Sequence, residues 1–326
     1  MKSNLYFRIM LPAILFLICG KLNAQHPSPP WVWAKAFYGT NVLDTEFPGP
    51  AIAVDPSNGA VYSTGYFFST VADFDPGEGI FKLDSLGLYA DMFISKLDDG
   101  GNFVWAKQIS APQRNGSARG FSIAIDPSGN GDIYTTGAFH GFVDFDPGPG
   151  SYTLLYSGFK YNNSDVFVSS LDSSGNFKWA AKMGGTGDAW GRSIVVDPEG
   201  KGAVYILGKF NGTIDFNPGA ASYLLTTVGG YDFFIVKLDL LGNFEWAKSF
   251  GGIKDDIGFA MAVDPKFGDV YVAGDFSGQV NFNPDDSTHI LTSGPNFDIF
   301  ILKLDRNGNF VWVKPMFGTS NSKGGT

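Results

Sequence analysis

Short apolar runs, separated by clusters of Gly, Pro, Asp and Asn, recur along the chain. Residues 133–136 alternate between apolar and polar positions, and residues 121–125 form an apolar run that ends at Asp126-Pro127; both patterns are typical of β-strands. No window keeps the apolar period of an amphipathic helix, so helices are expected to be rare. The 43 Gly and 31 Phe, with only 17% charged residues, exclude a coiled coil and a charged disordered chain.

One sequence phrase occurs four times. It begins with a glycine and an apolar run closed by Asp-Pro, continues through Tyr-x-x-Gly and Asp-x-Phe, and ends in Leu-Asp-x-x-Gly-Asn-Phe-x-Trp. The Asp-Pro steps are separated by 71, 71 and 67 residues, at Asp55, Asp126, Asp197 and Asp264. A repeat of nearly fixed period indicates an architecture of stacked, equivalent units.

Each repeat predicts four short strands. The first strand precedes Asp-Pro, the second contains Tyr-x-x-Gly, the third starts directly after the Asp of Asp-x-Phe, and the fourth contains the Trp. The long connection between the second and third strands, at residues 142–163 in the second repeat, predicts an extra hairpin. Because a four-stranded sheet cannot bury both faces alone, the fold class predicted is an all-β propeller of about four antiparallel blades. A parallel β-helix is the alternative architecture.

Four segments of the first repeat resemble the bacterial SBBP-type β-propeller repeat: residues 51–56, 61–65, 91–98 and 101–105. The resemblance extends over residues 31–318. It implies an exported protein, often one held at the cell surface. Long members of that family commonly carry a C-terminal sorting domain, which the sequence after residue 318 does not resemble. The Asp-Phe-Asp-Pro-Gly insertions are a further departure, since not every repeat of the family has them.

The first residues have the features of a secretory signal peptide. Lys2 and Arg8 precede a short apolar run at residues 9–18. Ala24 is a small residue at the expected cleavage point. A lipoprotein anchor at Cys19 is the alternative, although the preceding Ile18 is larger than that position normally allows. The sequence therefore predicts secretion or cell-surface localisation and no transmembrane segment in the mature chain.

The predicted organisation is a signal peptide at 1–24, a segment with a spare outer strand at 25–36, propeller repeats at 37–318 and a disordered tail at 319–326. The repeat units are placed at about 49–107, 119–182, 191–248 and 258–314. Residues 31–35 match the fourth strand of a unit, yet all four units already have one. The spare strand fits either a truncated ring or a closed four-bladed ring with an added outer strand.

The charge of the mature chain argues against one class of partner. Cleavage after Ala24 leaves 20 basic and 32 acidic residues, a net charge of −12 with histidine neutral. Such a surface repels phosphate backbones, so nucleic acid is not an expected partner. Cys19, the one cysteine of the sequence, leaves with the signal peptide, so stability must come from an apolar core rather than disulfides.

The Asp-x-(Asp/Asn)-Pro element in the long connections is the candidate metal site. Residues two apart on a strand face the same side, so two carboxylates can converge on Ca²⁺. The candidate ligands are Asp73, Asp75, Asp144 and Asp146, because the fourth repeat has lost both carboxylates. The competing interpretation is a strand end closed by bonds from the side chain to the turn backbone. Apart from calcium, no cofactor is expected.

The aspartates of Asp-x-x-Gly-Asn are interpreted as structural turn residues: Asp98, Asp172, Asp239 and Asp305. The motif is similar to the Asp-box hairpins of sialidase-like propellers and to quinoprotein blade repeats, where it is a fold device. No catalytic residue is predicted, because the three histidines have unlike contexts and no nucleophile or zinc motif is present. Arg114, Arg119, Arg192 and Arg306 also stand at unlike positions.

The irregular parts of the repeat are the connections between second and third strands: 67–90, 139–164, 210–231 and 276–297. Binding residues concentrate on such loops when a rigid scaffold presents them. The sequence therefore predicts a secreted, non-enzymatic propeller that binds carbohydrate or protein outside the cell. A sialidase-like or quinoprotein-like enzyme and a purely structural surface protein are the alternatives.

Overall fold

The structure is a computed structural model in which the described residues are 34–35, 38–39, 50–68, 71–85, 89–111, 116–158, 163–197, 202–286 and 288–318. The predicted signal peptide, most of the 25–36 segment and the tail at 319–326 lie outside the described residues. Within these ranges the secondary structure is strand throughout. None of the described segments forms a helix that is long and apolar enough to cross a lipid bilayer.

The described part of the chain contains 23 strands. In chain order they are β1 (Tyr38–Gly39), β2 (Ala51–Val54), β3 (Val61–Phe68), β4 (Val71–Asp73), β5 (Lys82–Asp84), β6 (Ala90–Leu97), β7 (Phe103–Ile109), β8 (Ser117–Ile125), β9 (Ile133–His140), β10 (Phe142–Asp144), β11 (Thr153–Leu155), β12 (Asp165–Leu171), β13 (Phe177–Gly185), β14 (Ala189–Val196), β15 (Ala203–Phe210), β16 (Thr213–Asp215), β17 (Leu224–Thr226), β18 (Asp232–Asp239), β19 (Phe244–Phe250), β20 (Ile257–Val263), β21 (Val270–Asn281), β22 (Ile290–Leu304) and β23 (Phe310–Met316).

The strands form four antiparallel units, one for each sequence repeat. Unit 1 is β2-β3-β6-β7, unit 2 is β8-β9-β12-β13, unit 3 is β14-β15-β18-β19 and unit 4 is β20-β21-β22-β23. Each strand pairs with its neighbour in this order, so every unit is a four-stranded antiparallel meander. This confirms the predicted all-β propeller-like architecture of four blades.

The hydrophobic core lies between the units. Three clusters of buried residues join unit 1 to unit 2, unit 2 to unit 3, and unit 3 to unit 4. We call the side of a unit that meets the next unit its front face, and the opposite side its back face. Tyr205 and Phe233 lie on the front face of unit 3, where Phe233 stacks on Phe300 of unit 4 with ring centroids 4.9 Å apart. Each sheet therefore buries its apolar surface against a neighbouring sheet.

The repeated Gly and Phe of the sequence phrase are cross-strand partners. Gly208 on β15 lies directly opposite Phe234 on β18. A Cβ atom at Gly208 would stand 2.6 Å from Cε1 of Phe234, so the ring occupies the space above the glycine. The same pairing occurs in every unit, as Gly65–Phe93, Gly137–Phe167, Gly208–Phe234 and Gly274–Phe300. These two columns of the repeat thus specify one packing contact within a unit.

The repeated Trp packs on the hairpin turn of the next unit. Trp179 of unit 2 lies against Gly242, whose φ of +85° a residue with a side chain rarely adopts. The indole Nε1 of Trp179 donates to the carbonyl of Leu240, 3.0 Å away, in the same turn. Trp105 and Trp246 contact Gly175 and Gly308 in the same manner. The Trp column and the turn glycine column therefore specify the contact between successive units.

The extra hairpin predicted near residues 142–163 is present, since β10 pairs with β11. Units 1 and 3 have the same hairpin, β4-β5 and β16-β17, and in unit 4 the ends of β21 and β22 pair directly. The hairpin of unit 3 also pairs with the end of unit 2, where Gly184 is opposite Asp215 and Gly185 is opposite Ile214. The hairpins of units 2 and 3 therefore each bridge to the preceding unit, the first through the pairing of Asp144 with Ser110.

The residues before unit 1 take part in the same bridge. Tyr38 pairs with Asp73 and Gly39 with Ala72, which is the register that Gly184 and Gly185 adopt with β16. β1 thus lies where the end of a preceding unit's fourth strand would lie. Of the spare strand predicted at 25–36, only Ala34 and Lys35 are among the described residues.

Candidate functional site

The long connections of units 3 and 4, together with the linker between β19 and β20, line an open cleft of about 550 Å³. Its lining comes from residues 230, 253–255, 277 and 295–297, which contribute an exposed aliphatic side chain, charged groups, a hydroxyl, an amide and an aromatic ring. Ile253 is 80% exposed at the rim. Such loops, held on a rigid sheet, are where a scaffold protein presents binding residues.

Short hydrogen bonds fix the two sides of the cleft. The carboxylate Oδ1 of Asp255 accepts from the backbone N–H of Tyr231 at 2.9 Å, and the N–H of Gly230 donates to the carbonyl of Ile253 at 3.1 Å. The Ser293 hydroxyl accepts from the N–H of Gly278 at 2.8 Å. These contacts tie the unit 3 connection to the start of unit 4, so the cleft is held in one shape.

Two buried carboxyl groups lie beneath the cleft. Asp256 accepts the N–H groups of Gly252 and Ser277, each at 2.8 Å, one on each oxygen. Burial raises the pKa of Asp256 to about 7, and burial likewise raises the pKa of Asp232 to about 7. The nearby carboxylate of Asp255 adds to both shifts. Both carboxyl groups adjoin residues that line the cleft, since Asp256 follows Asp255 and accepts from Ser277.

A basic and aromatic cluster adjoins this cleft. The Lys209 ammonium lies 4.2 Å from the ring centroids of both Trp190 and Tyr231, and the Tyr231 hydroxyl donates to Asp188 at 2.9 Å. Burial, followed by the positive charge of Arg192, lowers the pKa of Lys209. The two rings attract the ammonium group and hold it in place.

The sequence analysis did not predict that these residues form a cluster. Arg192 and Trp190 flank Gly191 in unit 3, whereas Arg119 and Phe121 flank the equivalent Gly120 in unit 2. The positions alternate between cation and ring, so no single column looks conserved in chemistry across the repeats. The one signal was an aromatic residue next to this glycine in units 2, 3 and 4, namely Phe121, Trp190 and Phe259.

The candidate calcium ligands lie in the turns of the unit 1 and unit 2 hairpins. The Oδ1 of Asp144 accepts from the N–H groups of Asp146 at 3.1 Å and Tyr152 at 2.8 Å. Asp73 makes the equivalent bonds with Asp75 and Phe81. Among the described residues, no group of three or more His, Cys, Asp or Glu side chains is arranged to hold a metal ion. The structure gives these carboxylates a role in the turn, and the calcium site stays a prediction.

A pair of substitutions separates the turn role of Asp144 from the calcium role. Asp144→Ala removes two hydrogen bonds to backbone N–H groups and is expected to lower the free energy of unfolding by about 1–2 kcal/mol. Asp144→Asn retains an acceptor oxygen, as Asn281 does toward Asn283 in unit 4, and should restore most of that loss. Urea denaturation with Ca²⁺ and with a chelator measures both. A stabilisation by Ca²⁺ that Asp144→Asn abolishes would instead support the metal site.

The four turn aspartates have one geometry. Asp98 accepts from the backbone N–H of Asn102 at 2.7 Å and from its side-chain amide at 2.9 Å. The same two bonds are made by Asp172 to Asn176, Asp239 to Asn243 and Asp305 to Asn309. Bonds from Asn102 lower the pKa of Asp98. These side chains close the hairpin on which the preceding unit's Trp rests.

The two described histidines lie apart from the cleft in aromatic surroundings. His140 packs between Tyr89 and Tyr156, with centroids 5.8 and 5.3 Å away. His289 lies against Phe310, 4.2 Å between centroids. His26 lies outside the described residues.

Comparison with known proteins agrees with the fold. No family model matches the chain. Among curated proteins, the chain is similar to an uncharacterized WD repeat-containing protein of Acanthamoeba polyphaga mimivirus, with 24% identity over 319 residues. The alignment covers 86% of this chain and 22% of the relative's length. The four stacked sheets and the similarity to a WD repeat-containing protein both indicate a propeller-like fold. The chain is a propeller-like repeat protein. Such a fold is a general scaffold for binding.

Proposed function

We propose that the chain is an exported, non-enzymatic binding module that holds an exposed segment of another protein in the cleft between units 3 and 4. The observation that carries this proposal is the cleft itself, an open, preformed concavity built from the irregular connections of two repeats. The export half of the proposal depends on the signal-like residues 1–24 and on the resemblance to SBBP-type repeats.

The chemistry of the rim favours a protein ligand over a carbohydrate. Ile253 is an exposed aliphatic side chain, and Val228, in the neighbouring connection, is also exposed. Exposed apolar groups rimmed by charged ones mark sites of interaction between proteins. Lys254 and Asp255 lie next to Ile253, so a ligand with an apolar anchor and a charge of either sign has a partner there.

The adjoining cluster supplies rigidity rather than ligand contacts. Lys209, held between Trp190 and Tyr231, fixes the strand from which the unit 3 connection departs. Tyr231 in turn anchors Asp255 through its backbone N–H. A rim held in this way loses little conformational entropy on binding, which favours affinity.

The test is a binding screen with the chain from residue 25 onward, immobilised and exposed to a displayed peptide library and to a glycan array. We expect peptide ligands whose affinity Ile253→Asp weakens by about tenfold or more, because a rim anchor is replaced by a charge. Leu241→Asp is the matched control, since Leu241 is an equally exposed aliphatic residue outside this cleft at 73% exposure. Capture of glycans alone, or equal loss in both variants, would refute the proposal.

A further inference from the structure

The front faces of units 1, 2 and 3 bury the same four columns of the repeat. These columns are the Tyr of the second strand, two alternate residues of the third strand and one residue near the end of the fourth. In the first three units all are at most 1% exposed: Tyr62, Met92, Ile94 and Ile109; Tyr134, Val166, Val168 and Met183; Tyr205, Phe233, Ile235 and Phe250.

Unit 4 has the same columns, but they are less buried than in the other units. Its members are Tyr271, Ile299, Ile301 and Met316, of which the first three are partly exposed and Met316 is 48% exposed. The apolar character of the columns is retained, and only the burial is lost. A contiguous apolar face of this kind on a water-soluble sheet marks an interaction surface.

Among the described residues, no turn of a following unit lies against the repeated Trp of unit 4. Trp105, Trp179 and Trp246 donate from Nε1 to a turn carbonyl of the next unit, at 3.4, 3.0 and 3.4 Å. Trp312 keeps the same internal geometry, with its ring 6.1 Å from that of Tyr271, as Trp105 does with Tyr62 at 6.0 Å. Trp312 is therefore already positioned to receive a turn glycine like Gly242.

The back face of unit 1 shows the complementary gap. Ile52 and Val54, on the first strand of unit 1, are 45% and 46% exposed. Their equivalents in units 2 and 3 are buried by the preceding unit: Ile123, Ile125, Ile194 and Val196. However, β1 already occupies the place of a preceding fourth strand through its pairing with Val71–Asp73. A neighbour that covers this back face therefore needs to supply only the first three strands of a unit.

From these observations we propose that the front face of unit 4 binds a further repeat unit of this same pattern. That unit contributes its first three strands, since β1 already lies where the end of its fourth strand would lie. Its back face carries the apolar columns that units 2, 3 and 4 already place against a front face, such as Val272, Phe300 and Leu302 of unit 4. The interface continues one that the chain makes three times.

The test adds the unit covalently. The chain through Gly318 is extended with a second copy of residues 253–304 in place of residues 319–326, because Gly318 and Gly252 are equivalent positions. We expect the melting temperature to rise by about 5 °C or more, since new apolar area is buried. Binding of an apolar dye should fall, and amide exchange in β21 and β22 should slow by about tenfold or more.

The matched control carries Val272→Asp and Leu302→Asp in the added copy alone, where both side chains belong to the docking back face. A second extension uses a copy of residues 186–238, whose back face is that of unit 3. If both extensions melt, bind dye and exchange as the control does, the proposal is overturned.

Sedimentation of the unextended chain tests the other occupant. The proposal expects a monomer, or an association that Met316→Asp leaves unchanged. A dimer that Met316→Asp dissociates would show that a second copy covers this face, which would also overturn the proposal.

Discussion

Replacing Gly208 by alanine is expected to destabilise the chain by about 3 kcal/mol or more, enough to lower the melting temperature steeply. A methyl group at this position would overlap the carbonyl oxygen of Trp190 and the ring of Phe234. Neither obstacle can yield easily, because the first belongs to the backbone of the adjacent strand and the second is completely buried. Differential scanning calorimetry with urea denaturation measures the loss.

The control for that substitution is Gly294→Ala. Gly294 lies in the unit 4 connection, where the nearest atom to an added Cβ is 3.7 Å away and the backbone needs no positive φ. We expect a change within about 0.5 kcal/mol. A Gly208→Ala chain as stable as Gly294→Ala would show that the pairing of glycine with phenylalanine does not hold the sheet together.

The stability of the chain is expected to fall between about pH 4 and pH 7. Asp232 and Asp256 have a folded-state pKa of about 7 because of burial, well above the ordinary value of 3.8. The folded chain therefore keeps protons that the unfolded chain releases in this range, so each rise in pH favours unfolding. This loss of stability is nearly complete about one pH unit above the folded-state pKa. It amounts to several kcal/mol, because each unit of pKa difference corresponds to about 1.4 kcal/mol. Burial also lowers the pKa of His140, which opposes this trend in part.

Other carboxylates act in the opposite direction at lower pH. Hydrogen bonds from turn residues lower the pKa of Asp98, Asp239 and Asp305, so their contribution is present above about pH 4 and is lost as the pH falls further. The two sets together place the stability maximum near pH 4 to 5. Thermal unfolding followed from pH 3 to pH 8 gives this profile directly. A midpoint that rises steadily from pH 5 to pH 8 would contradict it.

Asp232→Asn should flatten the decline between pH 4 and pH 7. An amide cannot ionise, and its oxygen still accepts the backbone N–H of Val228 that bonds to Asp232. The variant is expected to be more stable than the parent at pH 8. Asp84→Asn changes an exposed carboxyl and should leave the slope as it is in the parent. An equal slope in all three chains would mean that Asp232 is ionised in the folded state at pH 5.

The fold was predictable because the repeat columns are packing contacts. Gly208 and Phe234 stand at separate positions of one repeat and lie opposite each other on two neighbouring strands. Trp179 and Gly242 lie in different repeats and meet between units. Because each column occurs four times, the strands, their order and the stacking of the units could be predicted from the sequence alone. The pairing of Gly184 with Asp215 was not predicted. Gly184 follows the predicted unit at 119–182, and the connection that contains Asp215 was expected to form a hairpin of its own.

The candidate site was less predictable, because it depends on differences between repeats. All four connections between second and third strands were candidate binding loops, and nothing in the sequence indicated that those at 210–231 and 276–297 line one cleft. Asp232 and Asp256 look like ordinary repeat and linker residues, and their raised pKa values follow from burial that only the packed units produce. Lys209 gains its aromatic neighbours from β14 and from the residue that precedes β18.

The hairpin that bridges backward has a consequence for how such chains lengthen or shorten. Excising one unit from its first strand to its fourth would leave the hairpin of the following unit facing the wrong neighbour, as the contact of Gly185 with Ile214 shows. The segment that keeps its hairpin contact when it is duplicated or exchanged begins at a fourth strand and ends before the next fourth strand. It is therefore offset by one strand from the four-stranded unit. Segments joined at that boundary keep each hairpin with its own partner.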